Sequence, residues 1–170
     1  MIDAPTQHDP AFRLEAIFRA IAATRMAGMA LLNPALDVEA VGFRRRGDAW
    51  VGVLITPWFM NLICLPDGAT AGTLQASGTR REVELPSGTY EFLSAHEDEL
   101  GPYLTSSLFS PMFAFPDMAR AREMATAVLT EVFSPAAPDA APAVGLVARL
   151  EQPVSRRGFL GALLRPGEKT

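Results

Sequence analysis

The chain has 170 residues, of which 49% are hydrophobic and 20% charged, and its 15 basic and 19 acidic side chains give a formal net charge of −4. That composition supplies one globular domain with a real core and lacks the basic excess of a nucleic-acid binder. The lone cysteine, Cys64, excludes an intrachain disulfide, and no run approaches the ~18 apolar residues of a membrane helix.

Met1 to Pro10 is polar, without the basic start and apolar stretch of a secretory signal, so a reducing cytoplasm is the expected compartment. Asp9-Pro10 suits a helix start, and Leu14, Ile17, Phe18 and Ile21 follow the helical period; the spacing predicts a helix from about residue 10 to about 29. Asn33-Pro34 stops any continuation. Strand-like runs follow at Leu36–Phe43, Trp50–Thr56, Phe59–Leu65, Thr79–Leu85 and Thr89–Ser94, separated by turn residues at Arg46-Gly47-Asp48, Pro57, Pro66-Asp67-Gly68 and Pro86-Ser87-Gly88. Trp50–Thr56 is apolar on both faces, as in a covered strand, whereas Val83 and Leu85 point one way and Glu82 and Glu84 the other. Short turns imply antiparallel pairing.

Pro116 opens a second helix with an apolar stripe through Met118, Ala121, Met124, Ala125, Val128, Leu129 and Val132. The order predicts an α+β domain over residues 1–133. Its expected form is a two-layer sandwich: an antiparallel sheet of four or five strands with N- and C-terminal helices. Residues 134–143 (SPAAPDAAPA) read as a Pro/Ala linker, and 144–170 as a flexible C-terminal tail. From residue 134 onward five basic residues face three acidic ones, so the tail carries +2 and the first 133 residues −6. Such a tail either folds back on the body or stays solvated.

A search for chemistry finds little. The histidines are His8 and His96, and neither has metal-ligand spacing with Cys64. There is no G-x-S-x-G elbow, and Gly42, Gly47 and Gly52 have no phosphate-loop lysine after them. No catalytic residue, metal site or cofactor is expected. Two apolar runs stand out instead. Thr56-Pro57-Trp58-Phe59-Met60-Asn61 crowds large side chains at a strand break, and Leu108-Phe109-Ser110-Pro111-Met112-Phe113-Ala114-Phe115 mixes aromatics with proline outside a regular element. Exposed, they would anchor a partner polypeptide through Pro57, Trp58, Phe59, Met60, Asn61, Phe109, Pro111 and Met112. The alternative is a β-bulge with Trp58, Phe59 and Met60 all buried.

At these residues the chain resembles the HybE family of [NiFe]-hydrogenase assembly chaperones. The resemblance is carried by the run Trp50–Pro66 (WVGVLITPWFMNLICLP), by Asn33-Pro34 with Val38–Phe43, by Leu85–Phe92 and by Ser107–Met112, and spans about residues 10–133. It implies a secretion-chaperone-like fold and a non-enzymatic role in holding hydrogenase small- or large-subunit precursors, including the small subunit's twin-arginine signal, before export. It leaves open a stable accessory subunit or a thiol-based oxygen-protection factor. Many members carry a cysteine before the Ser-Leu-Phe-Ser-Pro block; this chain has Ser106 there, which puts a thiol role at that position in doubt.

The tail holds Ser155-Arg156-Arg157-Gly158-Phe159-Leu160, matching the twin-arginine core, with Gly161 in place of the usual lysine. Only Ala162-Leu163-Leu164 follows before Arg165, so the apolar stretch of an export signal is missing. The expectation is a mimic of the client's signal, with Ser155, Arg156, Arg157, Phe159 and Leu160 occupying the client groove; the plain alternative is a chance match in a short helix or tail.

Overall fold

The computed structural model describes residues 10–72, 74 and 77–135, with the side chains of residues 68 and 69 left aside. Helix α1 (Pro10–Ala23) is followed by strands β1 (Glu39–Arg46), β2 (Ala49–Ile55) and β3 (Met60–Pro66). The single-turn helix α2 (Gly68–Ala71), strands β4 (Arg80–Leu85), β5 (Gly88–Glu97) and β6 (Gly101–Phe109), and helix α3 (Met118–Phe133) complete the order. The six strands form one sheet, ordered β1-β2-β3-β6-β5-β4, with every pair antiparallel.

The α+β class and antiparallel pairing are as expected, and the sheet gains one strand. Gly101–Phe109 (GPYLTSSLF) opens with Gly-Pro and is rich in small polar residues, so its strand signal is weak; β6 nevertheless sits in the middle, between β3 and β5. Leu108 and Phe109 therefore end a strand rather than lying in irregular chain. The first helix stops at Ala23, short of residue 29. Its buried face is Leu14, Ile17 and Phe18, with Ile21 and Ala22 packed beside them, and Ala23, Thr24 and Arg25 are exposed, so burial no longer supports helix. The second begins at Met118, where the Asp117 carboxylate accepts the Arg120 N–H at 2.9 Å, placing Pro116 just outside it.

The helices take opposite faces of the sheet. Alternation along β2 and β3 sends Val51, Val53, Leu62 and Cys64 into the larger core with α3, and Leu54 and Ile63 into a smaller core with α1. β2 is covered on both faces, as its sequence implies. Each Leu or Ile buried in this way contributes about 1.5–3 kcal/mol.

Two glycines let the layers close. A bulge in β1 between Val41 and Arg44 contains Gly42 at φ +62°, where a Cβ would lie 2.5 Å from Leu129 Cδ1 of α3. At Gly52 a Cβ would lie 2.8 Å from Phe43 Cα and collide with the Phe43 ring, which fills the glycine's place on that face.

The sheet curls around α3. Along one edge Arg122 Nε donates to Glu39 at 2.6 Å and the Arg44 guanidinium lies 4.2 Å from the Phe133 ring centroid. At the other edge the Ser87 N–H, in the β4–β5 turn, donates to Val132 O at 3.1 Å. One helix touching both margins requires the accumulated strand twist. On the outer face α1 holds the start of edge strand β1: Glu15 accepts the Ala40 N–H at 2.8 Å, and Arg19 donates to Val38 O at 3.1 Å. α1 does not reach β4, whose Glu82 and Glu84 stay exposed with Glu91 and Leu93 of β5.

Candidate functional site

Three segments far apart in sequence meet at one end of the sheet: residues 33–36, the β2–β3 turn, and the stretch leaving β6. The turn is built on Thr56, which is fully buried. Its N–H donates to Phe59 O at 2.8 Å, and its Oγ1 accepts the N–H groups of Trp58 (3.2 Å) and Phe59 (2.9 Å). A hydroxyl that replaces turn amide partners fixes where Trp58 and Phe59 project.

Asn33 joins the other two segments to that turn. It is 6% exposed, and its N–H donates to Pro57 O at 2.9 Å. Its Nδ2 donates to Met112 O (3.0 Å) and Phe115 O (2.8 Å), while Oδ1 accepts the Ala35 N–H at 3.0 Å. One buried amide thus satisfies three backbone groups of two loops. Ser110 Oγ adds a 3.3 Å contact to Trp58 O, and the Ser110–Pro111 peptide is cis.

The surface this frame presents is aromatic. Trp58 and Phe59 are half-buried and pack on Phe18 of α1, with ring centroids at 6.5 and 5.8 Å from it and 5.5 Å from each other. Phe109, also half-buried, meets Phe115 edge-on at 5.2 Å. Pro57 is half-buried and Pro111 exposed. Phe113, on the loop whose neighbours Asn33 grips, is 55% exposed.

Met60 and Met112 do not belong to this surface. Both are 0% exposed and lie in the α3-side core, which corrects the expectation that they stay wet. Met60 is the first residue of β3 and faces inward, and Met112 packs in the same core, with its carbonyl held by Asn33 Nδ2 at 3.0 Å. The all-buried alternative is equally incomplete, since Trp58 and Phe59 keep solvent contact. Asn61 is half-buried; its Nδ2 donates to Thr105 Oγ1 at 2.9 Å, and its Oδ1 is buried without a hydrogen-bond partner. Sequence reasoning leaves Phe113 and Asn33 out of the site. Phe113 lies within one of the two crowded apolar runs, and Asn33-Pro34 reads as a helix stop and as one block of the family resemblance, neither of which reveals the hydrogen bonds Asn33 makes.

Cys64 is buried, and desolvation pushes its thiol up to about 11, so it is inert at neutral pH. Ser106 is buried too. His96 is exposed, 3.8 Å from Asp98. Among the described residues no cluster of three or more His, Cys, Asp or Glu is arranged to hold a metal ion, and no helix is long and apolar enough to cross a membrane. The twin-arginine-like residues Ser155, Arg156, Arg157, Phe159 and Leu160 lie outside the described residues, as do the linker from residue 136 and the remaining tail.

This α+β architecture, a six-stranded antiparallel sheet with two helices, is similar in fold to the solution structure of HybE from Escherichia coli. That structure matches with a TM-score of 0.59 and 24% identity, covering 84% of this chain and 88% of that one, a likeness of fold. Sequence carries the assignment further. The chain belongs to the HybE family of [NiFe]-hydrogenase assembly chaperones, whose model matches residues 9–162. It is 50% identical over 127 residues to the hydrogenase expression/formation protein HupT of Azotobacter chroococcum mcd 1, covering 74% of this chain and 83% of that protein. It is 40% identical over 147 residues to the hydrogenase expression/formation protein HupJ of Bradyrhizobium diazoefficiens, covering 86% and 84%.

Proposed function

We propose that this protein acts in the cytoplasm, without catalysing a reaction, by holding immature [NiFe]-hydrogenase subunits through the aromatic end of its sheet. The observation that carries the reading is Phe113, 55% exposed, on a loop that the buried Asn33 fixes next to half-buried Trp58 and Phe59. Aromatics fixed in place but left in contact with water lose little entropy on binding and bury large apolar area, the pattern of an interface anchor. Pro57, Phe109 and Pro111 complete the surface, and Met60 and Met112 support it from beneath. An apolar segment of a precursor, including the region of the small subunit's twin-arginine signal, has the chemistry to cover it.

The test is binding of purified small- and large-subunit precursors, each with and without its N-terminal signal, to wild-type protein and to the Trp58→Ala/Phe113→Ala variant. Affinity for one precursor should fall at least tenfold at a temperature where circular dichroism shows the variant folded, and the Phe113→Ala single variant, which removes an exposed ring, should lose affinity with its thermal midpoint near wild type. Equal affinity in the folded variant would remove the client site from this end of the molecule. A thiol-based protective role finds no support in Cys64, which is buried and held protonated. A stable accessory subunit would instead co-purify with the finished hydrogenase.

A further inference from the structure

The face of the sheet that α1 leaves open carries a charge arrangement unfavourable to the isolated fold. Glu82 of β4 and Glu91 of β5 are direct cross-strand partners, and Glu84 stands on the same side of β4, all three exposed. Like charges set directly opposite destabilise a strand pair. Arg80, on the same side, approaches Glu91 only to 3.7 Å, with the two side chains 77% and 52% exposed, and such a pair contributes little in water. Next to them Leu93, paired with Arg80, is 44% exposed. This face therefore combines surplus carboxylate with bare apolar surface.

The polypeptide leaves the described fold beside this hairpin. Ser87, in its turn, binds the carbonyl of Val132 at 3.1 Å, and α3 ends one residue later. Residues beyond 134 bring the chain's basic surplus, and Arg156-Arg157 followed by Phe159-Leu160 concentrates two guanidiniums and two apolar side chains in one hexapeptide. The 21 peptide steps from Pro135 to Arg156 span about 25 Å as a coil and up to about 70 Å extended. Passing around a six-residue strand takes about 20 Å.

We infer that the segment Ser155–Leu160 of this same chain docks on the open face of the β4–β5 hairpin, Arg156 and Arg157 pairing with Glu82, Glu84 and Glu91 while Phe159 and Leu160 cover Leu93. Arg–carboxylate pairing relieves the Glu82–Glu91 repulsion, and tethering supplies an effective concentration near millimolar, enough to fill a site of modest intrinsic affinity. That a client segment of similar pattern must displace the tail rests on the proposed function; the docking itself needs no client.

The experiment uses the full-length chain with Ala162→Cys carrying a nitroxide. Buried Cys64, its thiol pushed up to about 11, stays unlabelled. Amide signals of Glu82, Glu91 and Leu93 should lose intensity selectively. The loss should vanish in Arg156→Glu/Arg157→Glu and in Glu82→Lys/Glu91→Lys, and it should not occur when nitroxide-bearing chains are mixed with separate isotope-labelled ones. Glu82→Lys alone, which removes the like-charge pair, serves as the well-folded second variant. Even broadening, broadening centred on Trp58 and Phe59, persistence through both charge reversals, or broadening between separate chains would each overturn the inference. None of these results depends on precursor binding, so a failure here and a failure of the client site are read separately.

Discussion

Replacing Asn33 by alanine should loosen the aromatic end of the molecule more than any other single polar change there. The substitution removes two donations, to Met112 O at 3.0 Å and Phe115 O at 2.8 Å, and the acceptor of the Ala35 N–H. The residue is only 6% exposed, so these groups are slow to find water. A buried group left without its partner costs about 1–3 kcal/mol. Exposed Phe113 and Ala114 lie between the two carbonyls, so partial rehydration brings the expected total to about 2–4 kcal/mol. With a urea slope of about 2 kcal/mol per molar, the unfolding midpoint should fall by about 1–2 M. Asn33→Asp keeps the shape and the Ala35 acceptor but turns a carboxylate toward two carbonyls, so it should cost at least as much. Pro34→Ala, one residue away and exposed, should stay within about 0.5 kcal/mol of wild type. Amide exchange across residues 110–115 should accelerate in both Asn33 variants. A midpoint change of less than about 0.3 M, with exchange unchanged, would refute the view that this amide organises the site.

Met60→Ala, in the core beneath the turn, should cost about 2–5 kcal/mol in denaturant unfolding; a loss below about 1 kcal/mol would place Met60 at the surface after all. Gly52→Ala should cost about 1–3 kcal/mol or more, because the new methyl meets the Phe43 backbone, and Phe43→Ala in the same chain should recover part of that loss. Stability should decline in alkali. Burial raises Cys64 from 9.0 to about 11, and burial followed by the Glu97 charge raises Tyr103 from 10.0 to about 12, so the folded chain holds protons that the unfolded chain has released. The contribution is intact below about pH 9 and is lost as pH rises through those folded values, each tenfold gain in proton affinity on folding being worth about 1.4 kcal/mol. Cys64→Ala should flatten the first part of that decline in urea titrations between about pH 8 and 11.

The residue pattern by itself determined most of the secondary structure. Periodic apolar positions marked both helices, the doubly apolar β2 announced a covered strand, and the Val83/Glu84 alternation in β4 set its inward and outward faces. The family was legible in the run from Trp50 to Pro66 and in three further blocks. What composition could not decide were relations between distant segments. β6 is a weak strand by its own residues and becomes central because β3 and β5 offer it two partners. Which of the crowded apolar residues at residues 57–60 and 109–113 face water depends on a hydrogen-bonded amide some eighty positions from one of the loops it ties. Local sequence constrains a residue's periodicity and turn chemistry, whereas exposure is a property of what the rest of the chain packs against it. Met60 and Phe113 are comparable in hydrophobicity, and only the fold buries one and leaves the other open to solvent.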